Sequence, residues 1–287
     1  MKIVTDSGAD ISFEECKSLG ITMLPLKVDL AGVSYKSGID IDPEQFYDLM
    51  DASPTMPITS TPSVGEFAEV YKRLATEDPE ILSVHISSGL SATFNVAVQA
   101  AELVPEAKIT LVDTLTLSAG TGWQLRAASA MMQAGHKLEE IVATMRKIQD
   151  ATSTFFTLPD LKYLIAGSRI SHLKGLMASL LGIKPVIEVN KEDGKYYDKV
   201  KKRSFNKALD GITELVNKKH PAGTELVAQI VSAGNPSGAE LLKASMEKVF
   251  KCEWKPTVTL GTALGAHTGR GMVGIICAEK SALPTIG

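Results

Sequence analysis

Short β-branched runs alternate with helical periodicities through the first half of the chain. KIVTD (2–6), ITMLPLKVDL (21–30), ILSVHIS (81–87), KITLVDT (108–114) and TSTFFTL (152–158) carry the composition of strands. Between them, SFEECKSLG (12–20), PEQFYDLMD (43–51), VGEFAEVYKRLATE (64–77), SATFNVAVQAAELV (91–104) and SAGTGWQLRAASAMMQAG (118–135) repeat apolar residues at helical spacing. Strands separated by helices of that length predict parallel pairing with crossover helices, a sheet that binds ligands at the carboxyl ends of its strands.

The second half has a different rhythm. LPDLKYLIAG (158–167) and LKGLMASLLGI (173–183) read as apolar helices. KPVIEVNKEDGKYYDKVKKRS (184–204) reads as a hairpin turning at Asp193-Gly194. A helix (205–219), the strand ELVAQIVSA (225–233), a helix (237–250) and two strands, KPTVTLGTA and MVGIICAE, complete an α+β pattern. The expected fold is thus α/β: a parallel-sheet domain with flanking helices over 1–160 and an α+β domain over 161–287.

Composition narrows the function. Charged residues make up 22% of 287 and the net charge is -3, which makes no case for a nucleic-acid partner or an anionic membrane surface. Three widely spaced cysteines fit neither a zinc site nor a disulfide framework. MKIVTDSGAD runs straight into a strand, which argues against a signal peptide, and no apolar run reaches the roughly 18 residues of a spanning helix. The expected location is the cytoplasm.

Several motifs fail on context. GRGMVG (269–274) matches G-x-G-x-x-G but leads into a β-rich run near the end of the chain, so it is no dinucleotide fingerprint. No Walker A loop is present, and Gly89-Leu90-Ser91-Ala92-Thr93 lacks the second glycine of a hydrolase elbow. Three segments remain. ITSTPSVGEF (58–67) and HISSGLSATFN (85–95) place hydroxyls just before helical patterns, where they can cap helices and also face an anion at the free amides. GTALGAHTGRGMVG (261–274) reads as a glycine-rich loop that carries His267. Hydroxyls without Lys or Arg inside the clusters suit one carboxylate better than a polyphosphate.

On these segments the chain resembles the DegV family of bacterial fatty acid-binding proteins, the lipid-carrying subunits of a fatty acid kinase. The likeness runs over nearly the whole chain. It includes Asp6-Ser7, Thr59-Ser60 with Pro62-Ser63, Ile86 to Thr93, Val112 to Thr114, Leu161 to Ile170, Lys184-Pro185, and His267 with Gly269 and Gly271. The resemblance implies a two-domain fold with a fatty acid tail buried inside. It implies that Thr59, Ser91 and His267 surround the carboxylate, with Ser60, Ser88 and Arg270 as further candidates. It assigns Arg169 to engagement of the kinase subunit, which binds ATP and forms an acyl-phosphate for phospholipid synthesis. The chain would then be a carrier without cofactor, metal or nucleotide site, and not itself an enzyme. Three positions depart from the family pattern: Arg270 replaces a common proline, Ser168 a usual glycine and Thr61 a frequent glutamine.

Burying an acyl chain is favourable by roughly 0.8 kcal/mol per CH₂, provided that the carboxylate is hydrogen-bonded. Expected tail-lining residues are Phe94, Phe155, Phe156, Leu164, Ile165, Leu173, Leu176, Met177, Leu180 and Leu181. Lys199, Lys201, Lys202 and Arg203, with Lys162, Arg169 and Lys174, offer a docking face for an acidic partner, although such a run is more commonly a solvated surface. The competing reading is a serine esterase or thioesterase with Ser91 as nucleophile and His267 as base. The default expectation is a monomer.

Overall fold

The computed structural model describes residues 1–170 and 182–285. Its strands are β1 (Lys2–Asp6), β2 (Ile21–Leu24), β3 (Lys27–Leu30), β4 (Val33–Lys36), β5 (Ile58–Ser60), β6 (Glu80–His85), β7 (Lys108–Asp113), β8 (Ser153–Thr157), β9 (Lys184–Val189), β10 (Tyr196–Lys202), β11 (Glu225–Ser232), β12 (Lys251–Trp254), β13 (Val258–Thr259) and β14 (Val273–Glu279). The described helices are α1 (Phe13–Ser18), α2 (Pro43–Ala52), α3 (Val64–Ala75), α4 (Thr93–Glu102), α5 (Ala119–Gln133), α6 (Leu138–Ala151), α7 (Lys162–Ala166), α8 (Phe205–Lys219), α9 (Pro236–Glu247) and α10 (Thr262–Thr268). Among the described residues, no helix is long and apolar enough to cross a membrane.

The first sheet is parallel, in the order β2-β1-β6-β7. Strand residues alternate between its faces, so neighbours in β1 serve different cores. Ile3 packs with Leu82, Leu125 and Met145 on the face of α1, α5 and α6, while Val4 packs with Ile81, Phe67 and Tyr71 on the face of α3 and α4. This doubly covered sheet is the parallel layer that the sequence predicts.

Three elements differ from that expectation. The run 21–30 is two strands, because Pro25, which has no amide to donate, separates β2 from β3. β3 instead centres a small antiparallel sheet in the order β4-β3-β5. β8, expected with the first half, belongs to the second sheet, between β14 and β9. By sheet membership the first layer therefore ends with α6. The glycine-rich segment 261–274 is not all loop, since it holds α10. Gly265 is needed there: a Cβ would meet the Tyr47 hydroxyl at 2.5 Å, and that hydroxyl donates to the Leu260 carbonyl at 2.9 Å.

The second sheet runs β10-β9-β8-β14-β11-β12, with β13 also paired to β11. Helices α8 and α9 cover one face through Phe155, Val186, Ile212 and Leu242. The opposite face packs on the first half: Phe156, Ile187, Val231 and Ile276 share one cluster with Leu26, Val28, Phe46 and Trp123. The two halves thus enclose a common apolar core. The predicted hairpin is present, with β9 and β10 antiparallel around residues 190–195. Its lysines are paired locally, Lys199 with Glu188 at 2.7 Å, Lys202 with Glu214 at 2.8 Å and Lys201 with Asp198 at 3.5 Å, which is the pattern of a solvated surface. Lys174 lies outside the described residues.

Candidate functional site

The Ser-Ser-Gly-Leu-Ser segment follows β6 and is anchored from below by a buried polar chain. The Tyr71 hydroxyl meets Ser83 Oγ at 2.7 Å, Ser83 Oγ meets His85 Nε2 at 2.7 Å, and His85 Nδ1 meets Asp6 Oδ2 at 2.9 Å. Asp6 also accepts from the amides of Gly8 (2.9 Å) and Ile86 (3.2 Å). Every side chain in this line is buried. A hydrogen-bonded Asp-His-Ser row invites comparison with a catalytic triad, but here it ties β1 to β6 and fixes where residue 86 leaves the sheet.

From that anchor the chain reaches Ser91. Its Oγ meets Thr93 Oγ1 at 2.8 Å and accepts from the Thr93 amide at 3.2 Å, so the hydroxyl closes the start of α4, one position ahead of the formal cap residue Ala92. Ser63 serves the fold alone, since it caps α3 in a reciprocal box with Glu66. Thr59 lies on β5, opposite Val28 of β3, and not in a loop on the rim of the parallel sheet. His267 sits in the last turn of α10.

These segments converge. Thr59 Oγ1 and His267 Nε2 are 2.7 Å apart. Thr59, Ser60, Thr61, Ser91, His267 and Arg169 line one cavity of about 50 Å³, bordered elsewhere by apolar side chains and Tyr196. That space exceeds the roughly 10–15 Å³ that one water needs and suits a group the size of a carboxylate. Among the described residues no acidic side chain lines it, and Arg169 supplies a guanidinium. The arginine donates from Nε to the Leu90 carbonyl at 3.3 Å and from Nη1 to the Gly167 carbonyl at 2.5 Å. Carbonyls orient the cation without neutralising it, so the cavity favours an anion.

Burial, assisted by the nearby Arg169 charge, pulls the His267 imidazole down to about 4, so the ring is neutral at neutral pH. Its Nδ1 is buried against Gly167 and has no hydrogen-bond partner among the described residues. A proton on Nδ1 would be left unsatisfied at a cost of about 1–3 kcal/mol. The proton therefore belongs on Nε2, where it donates to Thr59 Oγ1, and the Thr59 hydroxyl proton stays free for a ligand oxygen. With its single proton given to Thr59, the imidazole acts on a ligand only through the Thr59 hydroxyl, which it orients as a donor into the cavity. The esterase reading finds no support here: with its proton on Nε2 and its Nδ1 buried against Gly167, His267 offers Ser91 no free basic nitrogen.

A second void of about 30 Å³ adjoins the first, and Leu117, Tyr196 and Leu264 line both. Phe155, Phe156, Val231, Met272 and Ile276 are among its walls, which are almost wholly apolar. Of the expected tail residues, Phe156 and Phe155 border this void, although the Phe155 side chain belongs to the core beneath α8 and α9. Leu164 is buried in the shared core and Ile165 packs against it, while Phe94 is half-buried on α4; none of these three borders either cavity. Leu173, Leu176, Met177, Leu180 and Leu181 lie outside the described residues. Sequence reasoning misses Tyr196, which carries no motif and precedes a second tyrosine in a hairpin.

The further candidates separate. Ser60 lines the anion cavity. Ser88 is exposed, with its amide turned to the Asp113 carboxylate at 3.3 Å. Arg270 points away from the cavity to Asp48 and Asp51 of α2, the latter at 2.7 Å, and lies 5.7 Å from the Tyr47 ring. An acidic pair on α2 thus accounts for arginine at 270. Ser168 takes a left-handed backbone, φ 59°, the conformation for which glycine is the natural residue.

The family model described as "Uncharacterised protein, DegV family" matches residues 1–280. A DegV domain-containing protein of Staphylococcus aureus is 30% identical over 278 residues, covering 97% of this chain and 98% of the relative. Another, from Listeria innocua, is 33% identical over 272 residues, with 94% and 96% covered. Among solved structures, a fatty acid-binding DegV family protein of Thermus thermophilus superposes with a TM-score of 0.87 at 27% identity, over 97% of this chain and 99% of that one. DegV of Bacillus subtilis, a fatty acid binding protein, gives 0.85 at 26% identity over 97% and 99%. The chain belongs to the DegV family.

Proposed function

We propose that this protein binds a long-chain fatty acid, holds its carboxylate with Thr59, Ser91 and His267, and buries its tail between the two sheets. One observation carries the reading: residues from three distant segments, with a cation, line an acid-free cavity that adjoins an apolar void. The fatty acid binding of the Thermus and Bacillus relatives supports it.

The carrier presents the carboxylate to a separate ATP-dependent kinase subunit, which phosphorylates it; the chain is the lipid-holding partner and not the catalyst. Arg169 engages that kinase. Its position on the cavity wall supports a link between the engaged face and the lipid headgroup. The double variant Thr59→Ala/Ser91→Ala tests the site, with weakened fatty acid binding and weakened phosphorylation expected. Unchanged values for both would sink the assignment. Arg169→Ala separates the arginine's roles: lipid bound but not phosphorylated assigns it to the kinase, and lost binding assigns it to the carboxylate.

A further inference from the structure

Tyr196 stands between the two chambers. Its ring lines both the anion cavity and the apolar void, and among the described residues only Leu117 and Leu264 do the same. It is buried, 5% exposed, and meets Phe156 edge-on with ring centroids 5.1 Å apart, which limits its swing on the apolar side. On the polar side Arg169 lies close enough to act on the phenol electrostatically.

The backbone gives the ring a firm mount. Tyr196 opens β10 opposite Val189 of β9, and the turn just before it is fastened to the serine-rich segment. Ser87 Oγ donates to the Gly194 carbonyl at 3.0 Å. Gly194, at φ 64°, and Gly89 admit no side chain: a Cβ on Gly194 would meet Ser87 Cβ at 2.9 Å, and one on Gly89 would meet Lys195 Cγ at 2.8 Å. The turn carrying Tyr196 and the loop carrying Ser91 are therefore one unit. A ligand held by Ser91 meets the ring within its first few carbons.

We infer that Tyr196 is a specificity-determining neck, admitting acyl chains that are unbranched next to the carboxyl group and rejecting those with a methyl branch at the second or third carbon. The inference rests on the fatty acid reading above. An extra methyl against a rigid apolar wall lowers affinity by roughly 10–200-fold, and removing the wall abolishes the difference.

The test measures dissociation constants for hexadecanoate and 3-methylhexadecanoate with wild type, Tyr196→Phe and Tyr196→Ala, by displacement of a fluorescent fatty acid. Tyr196→Leu, which keeps most of the buried volume, replaces the alanine variant if thermal melts show that it has lost its fold. Wild type and Tyr196→Phe are expected to prefer the straight chain by about tenfold or more, and the truncated variant to bind both acids about equally. A preference that survives truncation overturns the inference and leaves the fatty acid reading intact. Failure of wild type to bind hexadecanoate overturns both.

Discussion

Gly167→Ala is a one-methyl test of the His267 geometry. Gly167 ends α7 with φ −77° and ψ 0°, a conformation open to any residue, so the backbone alone would tolerate alanine. Lower unfolded-state entropy would even favour it by about 0.4–1 kcal/mol. Space is the obstacle. The new methyl would lie 2.8 Å from His267 Cε1, closer still to Nδ1, and 3.2 Å from the Tyr163 carbonyl. The imidazole has to move, and such overpacking costs about 1–3 kcal/mol. Moving it breaks the 2.7 Å contact with Thr59 and misdirects the donors aimed at the carboxylate. A lost hydrogen bond to a charged group is worth about 1.5–3 kcal/mol, or roughly a 10- to 150-fold rise in Kd. The assay is fatty acid binding in a double-mutant cycle with His267→Ala, with thermal melts in parallel. Once the ring is gone, Gly167→Ala should have little further effect on affinity. Undiminished affinity in the single variant, or an equal loss in the His267→Ala background, would rule out this coupling.

Ser168→Gly should stabilise the protein by about 1 kcal/mol in chemical denaturation, because it relieves a left-handed backbone at an exposed position. Arg270→Ala should leave fatty acid affinity unchanged and alter stability by less than about 1 kcal/mol, since its guanidinium serves Asp48 and Asp51 at a partly exposed site. Stability should also carry opposed pH dependences. His267 resists protonation down to about 4 in the fold, whereas the unfolded chain takes a proton near 6.5, so its part of the stability is complete above 6.5 and falls on the order of 3 kcal/mol as pH drops to 4. Asp10 is raised to about 7, chiefly by burial, so the fold keeps its proton where the unfolded chain releases one, and its contribution grows as pH falls from 7 toward 4. In an Asp10→Asn background, adding His267→Ala should remove part of the slope in denaturation curves between pH 4 and 7, leaving the part carried by the depressed His220; an unchanged slope would contradict the buried neutral imidazole.

Much of the fold is legible in the sequence because its signal is local. Ile3 and Val4 advertise a strand covered on both faces, and the hairpin turn at Asp193-Gly194 is written in two residues. The small sheet escapes a pattern reading because VSYK and ITS are short, exposed and stabilised mainly by their neighbours. Helix α10 is hidden by glycines whose purpose lies elsewhere, as Gly265 serves the Tyr47 ring from α2. Thr59, Ser91 and His267 are reached through motifs, but their meeting depends on contacts across as many as 208 positions that no local pattern encodes. Arg270 misleads for the same reason: its partners lie 222 positions away in the case of Asp48. A basic residue between two glycines suggests an anion site only until its acidic neighbours are known.

Whether the chamber between the sheets holds a fatty acid decides everything built on it. Electrospray mass spectrometry of the purified protein, native against denatured, with lipid extraction of the same sample, answers this without any engineered probe. The expected native spectrum shows an excess mass that disappears on denaturation, equals one extracted fatty acid, and is reduced or lost in Thr59→Ala/Ser91→Ala. A native mass equal to the bare chain, unchanged after incubation with fatty acids of several lengths, would contradict the carrier role.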